Sequence, residues 1–260
     1  NGQRTVDEIH EAGGEAALCG IDIGNVESVE KAVSDTVDKW GGVDIMLHNA
    51  ASFLGGPVEA YTEDDLETVL SVNLKSCFRF SKACIPHFRQ RGGGRLLFTS
   101  SVTGPRVAMP GTSYYAASKG GMNAFIRTAA LELAAENITV NGVEPGYIRT
   151  AQLLSAENSL GPEAASLASP YIPMGRLGEP DEIARVQAIA QSIDPAARPA
   201  PGDHGALDTV APYDTYIEML RERFTLALAQ ALRERRCRGL EGFDKGLARE
   251  VHEVWACLEH

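Results

Sequence analysis

The sequence is short of several things, and each shortage closes off a class of function. Its five cysteines, Cys19, Cys77, Cys84, Cys237 and Cys257, are odd in number and include no Cys-x-x-Cys pair. That argues against a disulfide frame and a cysteine zinc site, and favours reduced thiols in a cytoplasmic setting. His10, His87, His204, His252 and His260 are scattered, so they read as surface or packing residues and no metal site is expected. Positive charge is scarce: 24 Lys and Arg stand against 35 Asp and Glu, giving a net charge of -11 and a pI near 5.0. A chain this acidic is poorly suited to a phosphate backbone, so no nucleic-acid partner is expected. No apolar run reaches the ~18 residues of a membrane span, and no signal-peptide pattern opens the chain. What is present is 260 residues, a length for one or two domains, with a hydrophobic content of 44% that suffices for a globular core.

Strand-like and helix-like segments alternate as far as about residue 190, the pattern of a parallel sheet covered by helices. Residues 3–12 read as a helix and residues 16–21 as a strand ending at Asp22. Residues 26–40 read as a helix with Val29, Val33 and Val37 on one stripe, and residues 43–47 as the next strand. A loop follows over residues 53–61. Thr62-Glu63-Asp64-Asp65 has the form of a capping box, with Asp in place of the usual Glu, and opens a long helix to about Arg91. Asn73 interrupts the apolar stripe of that helix. Residues 96–99 read as a strand, 113–135 as a helix with Met122, Phe125, Ala129 and Leu133 on one face, and 138–143 as a strand. Residues 151–175 carry little regularity.

The chemistry concentrates on one helix. Tyr115 and Lys119 are four residues apart, about one turn, so their side chains share a face. A phenol normally titrates near ~10 and is a poor acid or base at neutral pH. A lysine ammonium one turn away favours the phenolate and lowers that value. Ser101 stands at the end of the strand-like run Leu96-Leu97-Phe98-Thr99-Ser100-Ser101, where a hydroxyl can hold a carbonyl while the phenol exchanges a proton. Tyr114 is the rival phenol, but its i+4 partner is Ser118, and Lys119 would lie about 100° further round the helix. Asn73, on its own, reads as a buried amide bonding the backbone.

These residues and their flanks resemble the short-chain dehydrogenase/reductase family over roughly residues 1–190. His48-Asn49-Ala50-Ala51 is similar to the family's Asn-Asn-Ala-Gly segment, with His48 in place of the first Asn and Ala51 in place of the Gly. Ser100-Ser101-Val102-Thr103-Gly104 is similar to its serine segment. Pro145-Gly146-Tyr147-Ile148-Arg149-Thr150 resembles the segment that passes the nicotinamide, and Pro173-Met174-Gly175-Arg176-Leu177-Gly178-Glu179-Pro180 the stretch that closes the substrate lid. The resemblance implies a Rossmann-like doubly wound α/β sheet and an NAD(P)-dependent oxidoreductase that interconverts a secondary alcohol and a ketone. It implies Tyr115 as the general acid/base, with Lys119 lowering its pKa and binding the nicotinamide ribose. Ser101 would orient the substrate oxygen, and Asn73, at a helix irregularity, would hold a water linking Lys119 to solvent. It implies cofactor contacts at Asp22, Ile23, Asn49, Ala50, Pro145, Gly146, Ile148 and Thr150, an NAD or NADP cofactor, no metal, and a homo-oligomer associating through the helices that carry Asn73 and Tyr115.

One part of the family pattern is absent. No Thr-Gly-x-x-x-Gly-x-Gly turn, which would set backbone N–H groups and a helix N-terminus against a pyrophosphate, occurs anywhere in the chain. The sequence reads as lacking the first two strands and the helix between them, so the sheet is expected to be N-terminally incomplete. In a sheet of order 3-2-1-4-5-6 the segment 16–21 then has no usual partner, and the edge of 43–47 is open. Either the chain is a fragment, or 16–21 re-pairs with 43–47, or another chain completes the sheet. The absence also motivates a rival function, a catalytically inactive relative acting through oligomerisation or partner binding. After about residue 190 the resemblance ends. Residues 191–212 read as a Pro-rich linker, and 213–260 as a helical extension with Tyr213, Ile217, Leu220, Phe224, Leu228 and Ala231 on one face.

Overall fold

The computed structural model describes residues 2–155 and 160–191. The expected linker and the expected helices from 213 to 260 lie outside the described residues.

Three parallel strands make the sheet, in the order β1 (Ile45–His48), β2 (Gly94–Thr99), β3 (Ile138–Val143). The register sets Met46 beside Leu96, and Leu96 beside Val140. Strand residues alternate between faces. Met46, Leu96, Phe98 and Val140 therefore share one face, and they are buried together with residues of three helices. These are α2 (Val26–Trp40), α4 (Ser76–Gln90) and α5 (Ser113–Leu133). Val33, Cys84, Phe88, Met122 and Ile126 are their contributions to this core. On the other face, α7 (Pro180–Gln191) covers β2 and β3, and Gln187 donates to the Thr99 hydroxyl at 3.0 Å. The cover stops short of β1, where Ile45 and Leu47 are 45% and 44% exposed.

Local chemistry sets most of the boundaries. Asn25 caps α2 by accepting from the Ser28 N–H at 2.7 Å, and Thr62 caps α3 (Glu63–Leu70) by accepting from the Asp65 N–H at 3.1 Å. The long helix expected after Thr62 is interrupted: Ser71–Lys75 forms a π-turn between α3 and α4. Asn137 ends the α5 region in the left-handed conformation, at φ 59°. Among its described residues, the irregular stretch after Thr150 contains a short helix, α6 (Ala164–Ala168), followed by a 3-10 turn at Ser169–Tyr171.

One expected strand does not form. Residues 16–21 follow α1 (Gly2–Glu11) as irregular chain, mostly exposed, with Leu18 at 61%. A strand gains its ladder bonds only from a neighbour, and the described residues supply none there. The segment does not re-pair with β1.

Candidate active site

The functional side chains gather at the carboxyl ends of the three strands, where ligands bind in open α/β sheets. Chain direction brings them there. The chain leaves β2 at Thr99, and Ser100 donates its N–H to Val143 O at 2.8 Å, continuing the ladder beyond the strand. Ser101 comes next, nine-tenths buried, and its hydroxyl accepts from the Thr103 N–H at 3.0 Å. Tyr115, in the first turn of α5, lies with its phenol toward Ser101, close enough for the serine side chain to favour the ionised phenol. Gly104 allows this approach. Its φ is +102°, and a Cβ there would stand 2.3 Å from the Ala116 carbonyl oxygen.

Lys119 lies one turn along α5 and is buried, its ammonium donating to Thr99 O at 2.7 Å. It sits 5.6 Å from the centre of the Tyr115 ring. Burial lowers its pKa to about 8. Burial also raises the Tyr115 phenol above its ordinary value, partly offset by the Ser101 side chain. The sequence argument that the ammonium lowers the phenol is therefore not met in this state: desolvation wins, because Lys119 is turned toward Thr99.

Asn73 occupies the π-turn and is fully buried. Its amide donates to Ser52 O at 2.9 Å and to the Ser118 hydroxyl at 3.0 Å, while its oxygen accepts from the Ser52 N–H at 2.8 Å. Both amide protons are thus engaged. The residue ties the loop after β1 to α5, one residue from Lys119, and serves as a clamp by geometry.

The remaining expected residues divide into two groups. Asn49, just past β1, accepts from the Thr99 hydroxyl at 2.8 Å, and Pro145 O accepts from the Val102 N–H at 3.1 Å, so both adjoin the Ser101 segment. Ala50 and Gly146 are exposed on the same rim. Ile148 pairs with Gly178, and the Thr150 hydroxyl accepts from the Leu153 N–H at 3.2 Å. Asp22 and Ile23 lie apart from the tyrosine. Asp22 accepts from the Gly24 N–H at 2.8 Å, and Ile23 O accepts from Arg79 at 3.0 Å, which tethers this loop to the π-turn through Ser71.

Sequence reasoning passed over three features. His48 points into the core between Phe80 and Phe98, its Nε2 2.7 Å from the Ser76 hydroxyl, and burial lowers its pKa to about 4. Because Ser76 donates onward to Val72 O at 2.6 Å, Nε2 must be the donor, and the imidazole is neutral. Phe53 packs edge-on against Tyr115, ring centres 4.8 Å apart. Ser100 donates to Asn123 at 2.6 Å and Asn123 to Glu144, while Arg106 donates to Glu144 at 2.8 Å, a polar chain behind the Ser101 segment. Each joins residues far apart in sequence, and none has a spacing signal.

The arrangement has the parts of a carbonyl/alcohol redox site. A phenol and a hydroxyl converge on one point above a buried ammonium, and Asn49 and Thr99 offer polar groups at the strand ends. That donor set suits the nicotinamide ribose. Among the described residues no glycine-rich turn opens a helix, so they provide no comparable cradle for the diphosphate. They also include no His/Cys/Asp/Glu cluster fit for a metal, and no helix long and apolar enough to cross a membrane.

Fold and site together define a nicotinamide-dependent oxidoreductase. Comparison with known proteins agrees. A family model described as enoyl-(acyl carrier protein) reductase matches residues 1–194. The versicolorin reductase of Emericella nidulans is 31% identical over 198 residues, 73% of this chain and 74% of that protein. The 3-oxoacyl-[acyl-carrier-protein] reductase of Vibrio cholerae is 33% identical over 176 residues, 68% of this chain and 70% of that protein. The solved structure of an NAD+-bound xylitol dehydrogenase superposes with a TM-score of 0.66 at 30% identity, over 74% of this chain and 78% of that one. The chain belongs to the short-chain dehydrogenase/reductase family, whose chemistry is NAD(P)-dependent oxidoreduction.

Proposed function

We propose that this protein interconverts a secondary alcohol and a ketone, with Tyr115 exchanging the proton. The observation that carries the reading is the gathering of Tyr115, Ser101 and the buried Lys119 ammonium at the strand ends, with Lys119 Nζ 5.6 Å from the Tyr115 ring centre. A nicotinamide held at Lys119 and Asn49 would supply the hydride for reduction of the carbonyl carbon. The carbonyl oxygen accepts a hydrogen bond from Ser101 and takes the proton of the Tyr115 phenol. Burial keeps that phenol protonated, the form reduction needs. In oxidation the phenolate takes the alcohol proton, and Lys119 is the positive charge available to favour it. Lys119 also has donors to spare for the ribose hydroxyls, since it makes one bond to Thr99 O. Asn73 fixes the helix and loop on either side. Its amide protons are engaged, and the Ser118 hydroxyl donates to Tyr115 O at 2.7 Å, so the implied relay from Lys119 to solvent would run through a backbone carbonyl.

Tyr115→Phe removes the exchangeable proton and keeps the ring. Turnover of an NAD(P)H-linked ketone reduction should fall by about a hundredfold or more, with cofactor binding retained. Tyr114→Phe should leave turnover within about twofold. Near wild-type turnover in Tyr115→Phe would defeat the assignment.

We also propose a homodimer across α4 and α5. Phe78 on α4 packs at a tilt against Phe125 of α5, ring centres 4.6 Å apart, yet is 56% exposed, and Leu131 of α5 is 52% exposed. Phe78→Glu should convert the dimer to monomer in sedimentation velocity. A dimer that survives the change at micromolar concentration would remove this face as the interface.

A further inference from the structure

Phe53 is an exposed aromatic ring held unusually firmly beside the site. Its neighbour Ser52 is clamped through both its N–H and its carbonyl by the buried Asn73, at 2.8 and 2.9 Å. Three residues further on, Gly56 donates its N–H to Gly111 O at 2.8 Å. Between these anchors the ring meets Tyr115 edge-on, 4.8 Å between centres at an interplanar angle of 64°, and the residue stays 42% exposed. The loop is thus pinned on both sides of Phe53, which holds the ring beside Tyr115. Fixed rings lower the ordering cost of binding.

The other side of the Ser101–Tyr115 pair is uncharged, lined by a thioether and two hydroxyls. Thr103, whose N–H donates to the Ser101 hydroxyl, turns its own hydroxyl toward the Met109 sulfur at 3.9 Å, and the Tyr147 hydroxyl reaches the same sulfur at 3.4 Å. Thioether and ring thus border the serine. The guanidinium groups of the two flanking segments are taken by carboxylates: Arg106 by Glu144 at 2.8 Å and Arg149 by Glu179 at 3.0 Å. These two arginines are therefore neutralised by their own carboxylates rather than offered to an anion.

We infer that the substrate of this site is a flat, uncharged aromatic ketone or its alcohol, stacked on Phe53 with its oxygen at Tyr115 and Ser101. The inference rests on the proton-donor role given to Tyr115 above. Phe53 acts on specificity and takes no part in the chemistry. Ring contacts contribute roughly 0.5–1.5 kcal/mol beyond area burial, a factor of about three to ten in affinity.

The test compares 2-acetylnaphthalene with 2-decanone in wild type, Phe53→Leu and Tyr115→Phe. Reduction is followed by NAD(P)H oxidation, and binding of each ketone is measured by equilibrium dialysis. Wild type should prefer 2-acetylnaphthalene in both measures. Phe53→Leu keeps the apolar bulk and loses the ring, so KM and Kd for 2-acetylnaphthalene should rise roughly three- to tenfold. Both constants for 2-decanone should move by a smaller factor, so that the preference for 2-acetylnaphthalene in Kd falls roughly three- to tenfold. Equal effects on the two ketones, or a wild-type preference for 2-decanone, would overturn the inference while leaving the redox reading intact. Full turnover in Tyr115→Phe would defeat the redox reading, and the dialysis ratio would still decide whether Phe53 selects aromatic rings.

Discussion

Lys119 shows function and stability in conflict at a single residue. Its ammonium is buried with one carbonyl partner, and its pKa is lowered to about 8 from 10.5. Because the folded value lies below the unfolded one, its contribution to stability is fully present only above about 10.5 and is lost as pH falls through 8. At pH 7 the buried charge therefore weighs against folding by on the order of 3 kcal/mol. Methionine at this position fills similar space without the charge but forgoes the bond to Thr99 O. Lys119→Met should gain roughly 1–3 kcal/mol at pH 7 in urea denaturation, with the gain fading as pH rises toward 10. Turnover should fall by about a hundredfold or more. A variant no more stable at pH 7, with no pH trend, would show that the ammonium is not penalised. Such a penalty, kept at a site, is what a catalytic role predicts.

At the scale of elements, the site depends on two close approaches. The π-turn at Ser71–Lys75 brings Asn73 to Ser52 and Ser118, which locks the loop after β1 against α5. Such bulges recur at functional sites. The other approach is the Ser101 loop onto α5 at Gly104, where an added methyl would meet the Ala116 carbonyl at 2.3 Å. Gly104→Ala should push the Ser101 hydroxyl away from Tyr115. Turnover should fall about tenfold or more for a shift of the order of 1 Å, with cofactor affinity changed less than twofold. An unchanged kcat in a folded Gly104→Ala protein would mean that the loop does not set the Ser101–Tyr115 distance. The sequence announced both features only in outline. It showed a polar residue in an apolar stripe and a glycine after the serine segment, while the partners that give them meaning, Ser52, Ser118 and Ala116, lie elsewhere in the chain.

For the molecule as a whole, local patterning was a good guide and partnership was not. The alternation of strand and helix foretold the parallel sheet, and the Tyr115–Lys119 spacing placed both groups on one face of α5 beside Ser101. Residues 16–21 have the composition of a strand and yet run as exposed coil, because a strand is defined by its neighbour. On the face that α7 covers over β2 and β3, Ile45 and Leu47 of β1 stay exposed. Phe53, the His48–Ser76 bond and the Ser100–Asn123–Glu144 chain escaped notice because each couples positions separated by 20 residues or more or sits in a loop without periodicity.

The central claim is that Tyr115, Ser101 and Lys119 serve a bound nicotinamide, although the described residues bring no diphosphate cradle of their own. Titration of NADH and NADPH into the chain, followed by nicotinamide fluorescence, tests it most directly. Saturable binding below about 1 mM in wild type, weakened about tenfold or more in Lys119→Met, is the predicted result. No saturation up to that concentration in a sample shown to be folded, or equal binding in Lys119→Met, would contradict it.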